Sequence, residues 1–148
     1  MVKIIPDIMI SDLTVSCKKQ ALYAMAEKVA EKFGCRADNL IHSLLEREEI
    51  GSTGIGQGVA IPHAQMPDID RFIGVFAQLE KPIDFDAFDD KEVDLIYLLL
   101  VPEGIKDGSH LQALAKISRF FRSPELCQKL RAEKDGSQAD ILLGMKSA

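Results

Sequence analysis

Apolar residues recur at two spacings along the chain, and the switch between them outlines the fold. After Ser16, a good helix N-cap residue, Leu22, Ala26, Val29, Ala30 and Phe33 fall on one helical face, and Gly34 stands where a C-terminal cap is expected. A second helix is expected after Asp38, with Leu40, Ile41, Leu44 and Leu45 on its buried side, the charges Glu46-Arg47-Glu48-Glu49 near its end and Gly51 as its stop. Four glycines fall between Gly51 and Gly58, after which Val59-Ala60-Ile61 reads as a short strand that Pro62 ends and that leads into a loop. Phe72 to Leu79 is a second run of β type, and Val93 to Val101 a third, apolar enough to need cover on both faces. Between them the Asp89-Asp90-Lys91 turn marks an antiparallel hairpin. Helical spacing returns from Ser109 to Phe121, through Leu111, Leu114 and Ile117. Ser123-Pro124-Glu125 then supplies an N-cap, an N1 proline and a first-turn acid, and a last short helix is expected from near Ser137.

Helices precede and follow these strands without regular βαβ alternation. The expected class is therefore α/β, with a mixed parallel and antiparallel sheet of about five strands flanked by helices on both faces. No repeat, low-complexity tract or linker divides residues 1–148, which read as a single domain.

Composition narrows the functional classes. Hydrophobic residues make up 47% and charged residues 28% of the chain, the balance of a soluble globular protein. The formal charge is −5 and both halves are net acidic, so nucleic acid is not an expected partner. Residues 80–107 carry nine acidic against three basic side chains and residues 116–134 six basic against two acidic, which reads as solvated faces. Cys17, Cys35 and Cys127 lack CxxC spacing and read as reduced thiols packed as small hydrophobes. The N-terminus lacks the apolar core of a signal peptide and no apolar run nears the roughly 20 residues of a membrane span. A cytoplasmic protein without membrane insertion is the expectation.

Three histidines are candidates for chemistry. His42 lies inside the second helix with no second polar group at useful spacing and reads as a surface residue. His63 follows a strand and a proline, so its imidazole is presented at the end of a sheet, where α/β proteins commonly hold their sites. Position alone equally allows a loop histidine that caps the strand end through one hydrogen bond. His110 opens a helix after Lys106-Asp107-Gly108-Ser109, where free backbone N–H groups and the helix dipole favour an anion and disfavour protonation. A neutral imidazole there can donate to a phosphoryl oxygen or another ring nitrogen, or it can be merely solvated.

The glycine segment is not a dinucleotide loop, because a helix precedes it and a strand follows, the reverse of the order that fingerprint needs. There is no GxxxxGK[ST] for a nucleoside triphosphate and no GxSxG elbow for a serine hydrolase. Without HExxH, CxxC or a close histidine pair, a zinc site would have to join His63 and His110 to an acid or a cysteine.

The stretch from Leu45 to Ala64, L-E-R-E-E-I-G-S-T-G-I-G-Q-G-V-A-I-P-H-A, resembles the fructose/mannitol/nitrogen class of IIA components of the bacterial phosphoenolpyruvate-dependent phosphotransferase system. The likeness continues through Val93–Pro102 and through His110-Leu111-Gln112-Ala113-Leu114, covering nearly the whole chain. The run from Arg47 to Gly56, the stand-alone length and the lack of fused IIB or IIC segments resemble the nitrogen-regulatory branch. Two positions depart from the family: Ala64, where glycine often follows the histidine, and Asp90, where the hairpin usually has glycine. Asp90 tolerates a positive φ better than most residues.

The resemblance implies that His63 accepts a phosphoryl group on Nε2 from the phosphohistidine of a small histidine phosphocarrier protein and then surrenders it, with no ATP, metal or other cofactor. It places Arg47 beside the histidine, where a guanidinium can contact two phosphoryl oxygens. It makes His110 the group that orients His63 or hydrogen-bonds the phosphoryl. Without the resemblance, Arg47 reads as a helix-surface arginine paired with Glu48 or Glu49. Thr53 and the nearby glycines form either part of the loop around the site or only a protein-docking face, and Thr53 is not expected to be catalytic. The expected function is a phosphotransferase working through phosphohistidine, a nitrogen-metabolism-related regulator whose charge state tunes binding to regulatory target proteins. The alternatives are a sugar-specific IIA that passes phosphate to a IIB component, and an interaction module that never carries phosphate.

Overall fold

In the computed structural model, which describes residues 5–132 together with Gln138 and Leu142, the two apolar spacings become helices and strands near their expected places. Helix α1 (Lys18–Phe33) buries Leu22, Ala26 and Val29, and Gly34 caps it at φ 76° with its N–H on the Ala30 carbonyl. Helix α2 (Ala37–Ile50) buries Leu40, Ile41 and Leu44 and stops at Gly51. Cys17 rather than Ser16 is the N-cap of α1; Ser16 sits one residue outside and donates through both its N–H and its hydroxyl to Gln20 Oε1. The three cysteines also differ from the expectation of packed thiols: Cys127 is buried, Cys35 half-buried and Cys17 exposed. Of the helix expected from near Ser137, only Gln138 and Leu142 are among the described residues, and both are helical.

Six strands form one sheet among the described residues: β1 (Ile8–Leu13), β2 (Gly54–Gly56), β3 (Val59–Ala60), β4 (His63–Met66), β5 (Ile73–Ile83) and β6 (Val93–Pro102). Their order is β1-β5-β6-β3-β2, with β4 also on β6. The β1–β5, β3–β6 and β4–β6 pairs are parallel, while β5–β6 and β2–β3 are antiparallel. The sheet is mixed, as its sequence implied. The β5–β6 hairpin turns where expected: the Asp90 N–H meets the Ala87 carbonyl at 3.0 Å, and Asp90 adopts φ 59°.

The segment after β3 does not become a loop. Past Ile61 and Pro62 the chain rejoins the same side of β6 as β4, and the Pro62 carbonyl accepts the Leu99 N–H at 2.9 Å across the gap. Proline interrupts this strand because it has no N–H to give, but its carbonyl still serves the ladder. Strand β2 forms within the glycine segment because Gln57 and Gly58, at φ 59° and 80°, make the two-residue positive-φ turn that a tight hairpin needs.

Both faces of β6 are buried, as are those of β5 as far as Leu79, which is why Val93–Val101 is so continuously apolar. Val75, Ala77, Ile96, Leu98 and Leu100 pack toward α1 and α2. Phe76, Leu95, Tyr97 and Leu99 pack toward α3 (Ser109–Phe121) and α4 (Pro124–Ala132), where Phe121 stacks on Phe76 at 6.1 Å between ring centres. Helix α4 starts as its sequence dictates, the Leu126 N–H reaching Ser123 Oγ at 3.3 Å. The acidic and basic runs are not wholly solvated faces: Arg131 grips Asp94 through two bonds of 2.8 Å, tying α4 to β6.

Candidate functional site

Alternation along β4 sets the site. Ala64 and Met66 turn into the core beside α1 and α2, so His63 and Gln65 face the opposite way. Ala64 is among the non-glycine residues with ordinary negative φ and its methyl is buried, so this departure from the family's glycine leaves the strand intact. His63 looks into a cleft of about 440 Å³ between the last turn of α2 and the first turn of α3, which contribute Arg47, Ile50, His110 and Leu111. The three site residues expected from the sequence are thus brought together, although His63 opens a paired strand instead of starting a loop.

Two contacts define the state of the His63 ring. Nδ1 lies 2.9 Å from the Ile61 carbonyl. A carbonyl can only accept, so Nδ1 carries the hydrogen and Nε2 keeps its lone pair. Arg47 Nε–H donates to that Nε2 at 3.3 Å, and its Nη1 is held by the Gly51 carbonyl at 2.9 Å. Arg47 is therefore not the surface partner of Glu48. The Glu48 carboxylate, its side chain only 6% exposed, pairs with Lys18 at 3.0 Å and accepts the N–H of Thr53 at 3.2 Å as well as the Thr53 hydroxyl.

His110 lies in the first turn of α3, and its Nδ1 is buried without a hydrogen-bond partner among the described residues. It does not orient His63 in this state, because Ile61 and Arg47 occupy the two His63 nitrogens. His42 is 75% exposed, as expected of a surface residue, but contrary to the sequence expectation it has a polar group at useful spacing: Glu46, one helical turn on, pairs with it at 2.7 Å. Among the described residues no three His, Cys, Asp or Glu side chains come together as a metal-binding group, and no helix is long and apolar enough to cross a membrane.

Burial holds the His63 imidazole below its ordinary value of 6.5; the charges of Arg47 and His110 push the same way, while the Ile61 carbonyl and Glu48 oppose them. Nε2 therefore stays unprotonated into mildly acidic solution. In the unfolded chain the ring takes up a proton near 6.5, so stability falls as pH drops through that value toward the lower folded one. An NMR titration of the His63 ring is expected to give a midpoint below 6.5; a midpoint at or above it would contradict the arrangement.

The pieces amount to an unprotonated ring nitrogen with a guanidinium beside it, at the mouth of a cleft rimmed by the exposed side chains of Ile50 and Leu111. Comparison with known proteins agrees with the fold around this site. The family model described as "phosphoenolpyruvate-dependent sugar phosphotransferase system, EIIA 2" matches residues 5–144, and the chain belongs to that family. Its likeness is to the nitrogen-regulatory members. A nitrogen regulatory protein of Bradyrhizobium diazoefficiens is 42% identical over 143 residues, spanning 97% of this chain and 93% of that one. The crystal structure of the nitrogen regulatory protein IIA-Ntr of Neisseria meningitidis superposes with a TM-score of 0.84 at 32% identity, covering 90% of this chain and 92% of the other. A fructose-specific EIIA component of Haloferax volcanii is 39% identical over 106 residues, 71% of this chain and 68% of that protein.

The sequence reading missed Glu48 as part of this site. A signal was present: Glu48 follows Ile41 and Leu44 at helical spacing and so continues the buried stripe of α2.

Proposed function

We propose that the protein is a phosphohistidine carrier that accepts a phosphoryl group on Nε2 of His63 from a histidine phosphocarrier protein and acts as a nitrogen-related regulator. The observation that carries this reading is the Nδ1–H bond to Ile61, which leaves an unprotonated Nε2 aimed at the cleft with Arg47 against it. In the transfer, the N–P bond to the donor imidazole breaks as the bond from phosphorus to His63 Nε2 forms. Each ring keeps the hydrogen on its other nitrogen, so no proton has to move. The transition state is loose, with its charge on three equatorial oxygens, and the protein's work is alignment and charge stabilisation.

Arg47 has five N–H donors and spends two of them in the resting site. As phosphorus approaches Nε2, the guanidinium exchanges its bond to the lone pair for bonds to phosphoryl oxygens. His110 donates to the same oxygens. The apolar rim of Ile50 and Leu111 suits a group delivered by a protein surface rather than by a small molecule.

The test is to incubate the purified protein with phosphoenolpyruvate, enzyme I and a histidine phosphocarrier protein, then to record intact mass and acid stability. One acid-labile phosphoryl group is expected. No adduct with any of several carrier proteins would favour an interaction module that works without phosphate. The likeness to the fructose-specific component favours a second reading, a sugar-specific IIA, which is distinguished by onward transfer to a IIB acceptor.

A further inference from the structure

We propose that Glu48 positions His63 for the transfer by acting through Thr53 and the Ile61 carbonyl to hold the ring as its Nδ1–H tautomer, an inference that rests on the carrier reading. The path is continuous. Glu48 accepts the backbone N–H of Thr53 at 3.2 Å and the Thr53 hydroxyl with its other oxygen. The Thr53 carbonyl accepts the Ile61 N–H at 2.9 Å, and the Ile61 carbonyl accepts the His63 Nδ1–H at 2.9 Å. Thr53 and Ile61 are 5% and 4% exposed, so the bonds between Glu48 and the ring are largely shielded from solvent, where they are strengthened and costly to leave unmade.

The segment needs such an anchor. Between Gly51 and Gly58 the chain has four glycines; Ser52 is bonded to the Phe85 carbonyl, Gln57 to Asp89 and the Gly58 carbonyl to β6, while Glu48 holds Thr53 between them, and Pro62 interrupts the ladder to β6 just before the reactive residue. Which imidazole nitrogen carries the hydrogen is decided by the bond the other nitrogen makes. A carbonyl displaced from Nδ1 would let the hydrogen move to Nε2, where no lone pair would remain to attack phosphorus. The position of Ile61 therefore sets the fraction of competent nucleophile, and Glu48 sets the position of Ile61.

The same contacts dispose of a difficulty. Glu48 directly follows Arg47 in sequence, and a free carboxylate there would compete for the guanidinium and repel an incoming phosphoryl group. Lys18 at 3.0 Å and the two Thr53 donors hold that carboxylate instead, and Arg47 is left to His63.

The experiment compares Glu48→Ala, Thr53→Val and Thr53→Ser with the wild type in three measurements: the His63 tautomer by ¹⁵N NMR without phosphate, the initial rate of phosphorylation by the carrier protein, and the melting temperature. Glu48→Ala and Thr53→Val should raise the Nε2–H share and slow phosphorylation by about 10- to 100-fold, the scale of a small misplacement of a reacting group. Thr53→Ser, which keeps the hydroxyl, should restore both. A wild-type tautomer in Glu48→Ala and Thr53→Val would overturn the proposal whatever happens to the melting temperature. If Glu48→Ala does not fold, the Thr53→Val and Thr53→Ser pair decides alone. Failure of the wild type to accept phosphate would defeat the carrier reading, whereas the tautomer measurement would still decide the role of Glu48.

Discussion

Arg47→Ala is expected to slow phosphoryl acceptance by about 10²–10³-fold, the usual cost of removing one preorganised donor from a charged transition state. The resting protein loses little. Its Arg47 is half-buried, and it gives one bond to the Gly51 carbonyl and a longer one to His63. A typical hydrogen bond contributes only about 0.5–1.5 kcal/mol net, so the melting temperature should fall modestly. The measurement belongs near pH 8. Removing the Arg47 charge relieves part of what keeps His63 below 6.5, and at lower pH a protonated ring could imitate the loss of a donor. Arg47→Lys should recover only part of the rate, because an ammonium cannot match two phosphoryl oxygens with a planar fork. Equal rates in Arg47→Ala and wild type would remove the arginine from the mechanism.

His63→Gln should abolish the acid-labile adduct altogether while leaving the fold in place. The side chain is half-buried at the edge of the sheet, its backbone bonds to β6 do not depend on the ring, and glutamine keeps a polar group of comparable length. The remaining histidines are poor substitutes. His42 stands in solvent beside Glu46, and His110 offers a cleft-lining ring whose Nδ1 is buried. Intact mass spectrometry of the variant, beside circular dichroism to verify folding, is the check. A full acid-labile adduct on folded His63→Gln would move the acceptor to another residue.

The parts of the fold that arise from one-dimensional periodicity were legible from the sequence. The stripe Leu22, Ala26, Val29 makes α1, the doubly apolar run 93–101 makes a strand buried on both faces, and Ser123-Pro124 starts α4. What escaped is pairing decided at a distance. Ile8–Leu13 is half-exposed and has no clean alternation, and it becomes a strand because β5 offers its edge. The glycines of β2 have no strand propensity, and β4 resumes after a proline because β6 is long enough to take both pieces. The site divides in the same way. His63, His110 and Arg47 stand out by chemistry and by resemblance, but Glu48 is one of three carboxylates in four residues. Its spacing from Ile41 and Leu44 hints at burial, and the folded chain bears the hint out by leaving it 6% exposed against 64% for Glu46.

The bond from His63 Nδ1–H to Ile61 also shapes the phosphorylated state. On the carrier reading, a ring that holds phosphorus on Nε2 and keeps its hydrogen on Nδ1 would be positively charged, with the Ile61 carbonyl against that charge. By keeping the hydrogen on Nδ1 it would let the ring leave as a neutral imidazole when the phosphoryl group departs. On the carrier reading such a protein would keep only a short record, because a phosphoryl group on His63 would be ready to leave whenever a suitable acceptor docks.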